Sequence, residues 1–389
     1  MNSYAVLGAS MMGSVAAKDL LSTEPDARVT LLDIDSGLLE EVAQRLSSPR
    51  LVPLELDVSD RERAAEALRG HDVAVGALPH AQCLQAIQAA IEARVSFVDL
   101  VGSKPELRRA LDQRAREAGI LVVPGLGVAP GLSNVLVARG MAALDETRDA
   151  VIYVGGIPME RTPPLEYQTV YSLVSMFGAY LRPAQIWVDG EETTAEPLTG
   201  IEILEFPPPI GPLEAFYTDG LASLVLTVPQ RIRGSLSEKT LRYPGFAEKV
   251  KVLKDCGLLD AEPVQVGEVS VVPRDVLVHQ LGSTLELGPE GDILAMRVVV
   301  KGVAAGHDVS HTFELVDFMD PATGDTAMAR TTAFPATIAA RMIARGEVTD
   351  RGVRFPEELF VEGLGDHLFE ELEERGVRVR HDAGPEVGC

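Results

Sequence analysis

The sequence predicts an α/β protein in which an N-terminal doubly wound parallel sheet is followed by an α+β domain built on a mixed or antiparallel sheet. Three observations carry that reading. Short apolar strands alternate with helices through residues 4–123, the order that lays parallel strands side by side with helices on both faces. A glycine turn, Gly8-Ala9-Ser10-Met11-Met12-Gly13, joins the first strand to the first helix. Beyond Asp149 the segments become β-rich, with alternation clearest in His311-Thr312-Phe313-Glu314-Leu315-Val316, as expected of strands covered on one face.

The first strand is Tyr4 to Leu7, and Ser14 to Leu21 continues as a helix with Val15, Ala16, Leu20 and Leu21 on an apolar side. A second strand, Val29 to Leu32, ends in Asp33, twenty residues beyond Gly13. Strand, glycine turn, helix, strand and acid in this order form a Rossmann dinucleotide site. Gly8 permits the sharp turn, Gly13 lets the helix approach the sheet, and the free N–H groups of the helix start face a pyrophosphate. Ser10 stands where the middle glycine is usual; it is small, and its hydroxyl suits a phosphate oxygen. Gly8, Ser10, Met11, Met12 and Gly13 are therefore the expected cofactor turn, with Asp33 on the ribose hydroxyls. No Lys or Arg follows Asp33 until Arg45, which favours NAD over NADP.

The alternation continues with a helix over Leu38–Leu46, a strand over Leu51–Leu56, a helix over Arg61–Leu68 and a strand over Val73–Leu78. A helix over Gln82–Glu92, a strand over Ser96–Val101, a helix from Pro105 to Ala118 and a sixth strand over Ile120–Val123 complete it. Ligands of such sheets lie beyond the carboxyl ends of the strands. That places Asp57, Val58, Leu78, Pro79, Asp99 and Leu100 at the cofactor edge, although Asp57 reads equally as a turn or cap residue. Pro124 to Gly131, which includes Gly127, follows an irregular path toward the nicotinamide or a substrate anion, and Ser133 is expected to cap a helix over Asn134–Leu144. In the second part, Val151–Gly155, Gln185–Val188, Val264–Val272, Leu294–Val303 and Val309–Phe318 read as strands; Tyr167–Tyr180 and Phe246–Leu253 read as helix or loop. Thr331–Gly346 is helical with Pro335 in its first turn, and Asp382 to Cys389 reads as a frayed end. Three parts are expected: residues 1–128, 129–329, and a C-terminal 330–389 that packs back on the first.

Composition narrows the chemistry. The chain of 389 residues carries 58 acidic and 35 basic side chains, a formal charge of -23, so phosphate backbones are repelled and nucleic acid is not an expected partner. Cys83, Cys256 and Cys389 lie far apart, which argues for a reducing compartment. With no apolar run of spanning length, no membrane partner is expected, and the location expected is cytoplasmic. No metal site is expected either: His307 and His311 are four apart in a strand, hence about 13 Å apart by strand rise. Three polar stretches remain, 165–172, 214–220 and 239–245. A substrate carboxylate would suit the fork of Arg242, with Lys239 near it. An ammonium would suit Glu166, Glu214 or Asp219.

Near these residues the chain resembles the saccharopine dehydrogenase-like family, and within it the lysine 6-dehydrogenase branch. The resemblance runs through GLGVAPGLSN at 125–134, YVGGIP at 153–158, PPLEYQTVYSL at 163–173, GPLEAFYTDG at 211–220 and KTLRYPGFAEK at 239–249. PRDVL at 273–277, MARTTAF at 328–334 and RGEVTDRGVRFPEEL at 345–359 extend it. It implies a homodimer or higher homo-oligomer and an NAD-dependent oxidation of the ε-amine of L-lysine, or of a close amino acid, to the semialdehyde. Hydride transfer from a carbon bearing nitrogen requires a free amine, hence a general base. Asp99, Glu166 and Tyr167 are the candidates, and the sequence does not choose among them. Tyr171, Phe216, Tyr217, Thr218, Lys239, Arg242 and Tyr243 are expected around the substrate. The alternatives are an NADPH-dependent reductase of saccharopine or carboxynorspermidine type, and a dinucleotide-binding sensor without catalysis.

Overall fold

A computed structural model describes residues 2–385, which divide into two compact units. The chain runs β1 (Ser3–Leu7), α1 (Met11–Thr23), β2 (Arg28–Asp33), α2 (Ser36–Leu46), β3 (Leu51–Glu55), α3 (Arg61–Leu68), β4 (Val73–Gly76), α4 (His80–Ala93), β5 (Ser96–Asp99), α5 (Pro105–Arg109), α6 (Asp112–Ala118), β6 (Leu121–Pro124) and α7 (Leu132–Ala142). It continues through β7 (Glu146–Pro158), α8 (Leu173–Ala179), β8 (Ala184–Val188), β9 (Glu191–Ala195), β10 (Glu202–Phe206), β11 (Gly211–Tyr217), α9 (Leu224–Thr227), β12 (Leu236–Arg242), α10 (Phe246–Asp255), β13 (Val264–Val266), β14 (Val269–Val271) and α11 (Pro273–Thr284). The last elements are β15 (Asp292–Ala304), β16 (His307–Phe318), α12 (Ala327–Ala344), β17 (Gly352–Val353), α13 (Pro356–Leu359), α14 (Leu364–Glu374) and β18 (Val379–Pro385).

The first unit holds a parallel sheet in the order β17-β6-β5-β4-β1-β2-β3, the doubly wound arrangement expected from the alternation, widened by β17. Its inner strands are apolar on both faces because helices cover both: every residue of β4 and β6 is buried. Pro53, which cannot donate a ladder bond, lies in the edge strand β3, where the sheet tolerates it. The C-terminal helices α12 to α14 group with this unit from Ala329 onward. Buried ion pairs join α12 and α14 to α1: Arg341 to Glu24 at 3.2 Å and Arg375 to Asp19 at 2.8 Å.

Several boundaries differ from the sequence reading. The single helix expected over 105–118 breaks into α5 and α6, where the Leu111 N–H turns back to the Arg108 carbonyl at 3.0 Å. Ser133 is not a cap: Gly131, at φ 133°, turns the chain earlier, α7 starts at Leu132, and the Ser133 hydroxyl donates to Asn134 Oδ1 at 3.0 Å. Pro335 lies inside α12 instead of in its first turn, because the Asp292 carboxylate accepts from the Ala327 and Met328 amides, at 2.6 and 2.9 Å, and starts the helix at Ala327. Residues 382–385, read as frayed, form part of β18 on β16; residues 386–389 lie outside the described residues. The division of the chain also differs. The first unit takes residues up to Ala142, then Ala222–Val228 and Ala329–Arg378, whereas β18 joins the second.

The second unit is a nine-stranded sheet, β10-β11-β12-β7-β15-β16-β18, with β8 and β9 added beside β12. All its pairings are antiparallel except β12 with β7. Alternation along β11 and β12 sends side chains to two separate cores. One holds Tyr167, Tyr180, Phe216 and Phe246; the other holds Leu213, Ala215, Leu241 and Tyr243. In the first, Phe216 and Phe246 stack at 6.2 Å, and Tyr167 and Tyr180 meet Phe246 edge-on at 5.5 and 6.0 Å. These are the offset and edge geometries that aromatic quadrupoles favour. The stretch expected to be one long strand over 264–272 is the separate hairpin β13–β14.

Candidate functional site

In the first unit the glycine turn is set by backbone contact. Gly8 has φ 100°, and a Cβ there would lie 2.3 Å from the Ala77 carbonyl oxygen; a Cβ on Gly13 would lie 1.8 Å from that of Gly8. No side chain fits either position, so α1 starts hard against the sheet. Ser10 is the N-cap, its hydroxyl makes no capping bond, and no acid occupies the first turn. Met11 and Met12 open the helix beside it. The positive end of the α1 dipole is thus left for an anion supplied from outside. Asp33, at the end of β2, accepts the Ala9 N–H at 2.7 Å and the Asp35 N–H at 3.0 Å. Each oxygen of that carboxylate keeps acceptor capacity for a ribose hydroxyl. The cradle fits a dinucleotide.

The other positions expected at this edge divide. Asp57 accepts the Ser59 amide and hydroxyl at 2.8 and 2.6 Å, bonds that hold its carboxyl below the usual range; it closes a turn. Val58 and Leu100 are buried, Leu78 is half-buried against the same core as Val58, and Pro79 precedes α4. The Gly127 amide is used within the turn, on the Pro130 carbonyl at 2.9 Å. Asp99 is fully buried. One of its oxygens meets Arg108 at 3.0 Å and the other accepts the Val101 N–H at 3.0 Å. Burial pushes its carboxyl up and Arg108 opposes this. It braces β5 against α5, where the sequence reading had offered it as a base.

The second unit brings together a different set. Arg242, 2% exposed, closes β12 beneath Tyr167 and Phe246, with its guanidinium 5.0 and 5.5 Å from their ring centres. It donates to the carbonyl of Leu241 at 2.7 Å, and its Nε has no partner. Among the described residues no carboxylate comes within ion-pair distance of it. The Tyr167 hydroxyl, also buried, lacks a hydrogen-bond partner, and the Tyr171 and Tyr180 hydroxyls face the guanidinium itself. Burial raises the hydroxyls of Tyr167, Tyr171 and Tyr180, while the Arg242 charge acts on all three in the opposite sense. Buried polar groups are ordinarily paired. A buried cation without an anion, ringed by hydroxyl donors, is the arrangement a carboxylate ligand completes.

The β12 strand decides which expected residues join Arg242. Thr218 and Phe216 project to its face, as do Tyr167 and Tyr171 from the covering segment. Lys239 projects to the other, where it pairs with Glu202 at 2.5 Å and lies 4.5 Å from the Tyr217 ring centre. Tyr243 is also on that side, its hydroxyl donating to the Pro158 carbonyl at 2.9 Å. Lys239, Tyr217 and Tyr243 are therefore not neighbours of the Arg242 guanidinium, because odd and even positions of one strand face opposite ways. The acids offered for an ammonium are committed elsewhere. Glu166 pairs with Lys249 at 3.1 Å, Asp219 with Arg182 at 3.6 Å, and Glu214 accepts the Gly245 and Ala247 amides at the start of α10 at 2.7 and 2.6 Å. Two residues of this face, Tyr180 and Glu238, were not among the site residues expected from the sequence. Glu238 is 4% exposed and accepts the Thr218 hydroxyl at 2.6 Å. The alternation Glu238-Thr240-Arg242 would have found it, had the stretch been read as a strand.

Among the described residues no group of three or more His, Cys, Asp or Glu is arranged to hold a metal ion, and no helix is long and apolar enough to cross a membrane. Residues 4–123 match the family model of the saccharopine dehydrogenase NADP binding domain, and residues 127–377 that of the saccharopine dehydrogenase C-terminal domain. The chain belongs to the saccharopine dehydrogenase family. The bovine mitochondrial alpha-aminoadipic semialdehyde synthase is 24% identical over 89% of this chain and 44% of its own length. Saccharopine dehydrogenase [NADP(+), L-glutamate-forming] of Pyricularia oryzae is 27% identical over 57% of this chain and 51% of its own. The chain therefore spans about half the length of these curated relatives. The apo saccharopine dehydrogenase (L-Glu forming) of Saccharomyces cerevisiae superposes with a TM-score of 0.82 at 20% identity, covering 99% of this chain and 100% of that one. The fold of this family member is thus shared along its whole length.

Proposed function

We propose that this family member oxidises the carbon bearing the side-chain amine of L-lysine, or of a close amino acid, by hydride transfer to a nicotinamide, giving an imine that water hydrolyses to ammonia and a semialdehyde. Membership of the family supports a pyridine-nucleotide dehydrogenase acting on amino-acid C–N bonds; the substrate is our reading. The observation that carries it is Arg242, a buried cation with no carboxylate within ion-pair distance among the described residues. Its planar fork would hold both oxygens of a substrate carboxylate, and the Tyr167 and Tyr180 hydroxyls stand free to donate. With their acidity suppressed by burial, these tyrosines stay neutral near pH 7 and serve as donors rather than bases. The aromatic lining excludes water from the clamp.

When bound, the nicotinamide ring supplies the hydride acceptor. The chain's own part is to hold that group at Gly8, Ser10 and Gly13 and to select its ribose end at Asp33. Asp33 and Asp35 at the end of β2, with Glu55 at the end of β3, make this edge acidic, a setting that disfavours a 2′-phosphate and supports NAD over NADP. The family model and the fungal relative are named for NADP, which favours a second reading, an NADPH-dependent reductase condensing an amine with an aldehyde. Titration of both dinucleotides, followed by absorbance at the nicotinamide band with an amine panel and with amine plus semialdehyde, separates the two. Arg242→Ala is expected to raise the KM for substrate at least tenfold and leave dinucleotide affinity within twofold. Equal binding of substrate by the variant, or turnover only in the condensing direction with NADPH, would end the first reading.

A further inference from the structure

We infer that Glu238 is the second recognition group of the Arg242 site: it receives the distal ammonium of a substrate whose carboxylate Arg242 holds, and so restricts the site to amino acids that carry a second amine. The inference rests on the proposed function, since it takes Arg242 as the carboxylate clamp. Four observations support it.

Glu238 and Arg242 lie on one face of β12, four residues and about 13 Å apart by strand rise. Both are buried, and neither has an oppositely charged side chain within ion-pair distance among the described residues. A buried guanidinium and a buried carboxyl at the two ends of one apolar face match a dipolar ligand stretched between them. The guanidinium is costly to bury alone, and the carboxyl is costly to ionise there without a cation beside it, so each calls for a partner.

The carboxyl is also held in place deliberately. The Thr218 hydroxyl, 2.6 Å from Glu238 Oε2, is itself 2.7 Å from the Thr240 hydroxyl. Gly220 forms the wall: a Cβ there would lie 2.5 Å from Glu238 Oε2. The hydroxyl of Tyr171 stands within electrostatic reach of both Arg242 and Glu238, which puts a polar group along the path between them. Finally, the other acids near this face are occupied: Glu214 by the amides of α10, Asp219 by Arg182 and Glu166 by Lys249. Glu238 is the carboxyl left for an ammonium.

The protonation behaviour agrees with this role. Burial raises the Glu238 carboxyl to about 8; the Thr218 hydroxyl opposes the rise, Asp219 adds to it and Arg242 opposes it. The groups that act on it are thus Asp219 from the turn after β11, Tyr171 from the covering segment and Arg242 from its own strand; β7 presents Ile152 and Val154 alongside. Without ligand the carboxyl holds a proton at neutral pH. An incoming ammonium displaces that proton, so affinity for an amine-bearing ligand rises with pH toward 8 and up to one proton is released on binding. The carboxylate so formed then takes a proton from the bound ammonium, leaving the free amine that hydride transfer requires.

The test is calorimetric titration of the full chain with L-lysine and with L-norleucine, which keeps the carboxylate and the carbon chain but carries hydrogen in place of the distal amine. Wild-type protein is expected to bind lysine at least tenfold more tightly at pH 8, with proton release detected as a buffer dependence of the heat. In Glu238→Gln that preference falls to within twofold, and the buffer dependence disappears. A folded Glu238→Gln protein that still prefers lysine tenfold overturns the assignment while leaving amine oxidation standing. Wild-type protein that binds neither ligand and oxidises no amine overturns both. Should Glu238→Gln not fold, Thr218→Val removes the hydroxyl that favours the ionised carboxyl, and the pH midpoint of lysine binding is expected to move upward. An unmoved midpoint in that variant refutes the role of Glu238.

Discussion

Arg108 in the first unit and Arg242 in the second are each 2% exposed, yet they are buried for different ends. Arg108 meets Asp99 at 3.0 Å, and that carboxylate is completed by the Val101 amide. The pair neutralises its own charge and ties β5 to α5, although the Arg108 Nε, like that of Arg242, has no partner. Arg242 has tyrosine hydroxyls and aromatic faces around it but, among the described residues, no carboxylate within ion-pair distance. A charge that the fold has already neutralised contributes rigidity. One that it leaves uncompensated waits for a ligand, and the difference lies in whether a carboxylate shares the burial.

The contrast can be broken most directly by removing one group from each region. Asp99→Ala leaves the buried Arg108 without its counter-ion and is expected to cost about 3–5 kcal/mol. Arg242→Met removes a charge that has none and is expected to leave stability within about 1 kcal/mol of wild type, or above it. Urea denaturation of both variants measures this. Equal losses would make Arg242 a second structural arginine and remove the basis of the carboxylate clamp.

A smaller effect sharpens the picture at the other end of β12. With the Glu238 carboxyl raised from 4.5 to about 8, the folded chain holds a proton that the unfolded chain has released. Stability contributed by this group is therefore complete below pH 4.5 and falls as the pH rises to about 8. Across that window the loss is of order 2–4 kcal/mol, and it should be absent from Glu238→Gln. Urea midpoints at pH 5 and pH 8.5 for the two proteins decide the matter; parallel changes would mean that Glu238 does not titrate between them.

The smallest effect is expected from Lys239→Met. Its amine pairs with Glu202, which is 42% exposed, on the opposite face of the strand. The change should cost about 1 kcal/mol or less and leave the substrate KM within twofold. A larger rise in KM would show that the two faces of β12 are not independent.

The glycine turn, the acid at the end of β2 and the alternation of the first unit were legible in the sequence because each depends on neighbours a few residues away. The roles of Asp99 and Glu166 were not. Arg108 and Lys249, which take up their charges, follow at distances that no local pattern marks, and α12 starts where Asp292, brought in by β15, accepts its first amides. Lys239 was grouped with Arg242 because they are close in sequence, and strand geometry separated them.

By itself the sequence determined a Rossmann unit followed by a mixed-sheet unit, and the residue types of a dinucleotide cradle, since backbone turns and hydrophobic periods are local properties. Only the tertiary structure decided which charges are spent inside the protein and which are left for a ligand. Compensation of a buried charge depends on what packs against it, and those partners come from other strands and helices.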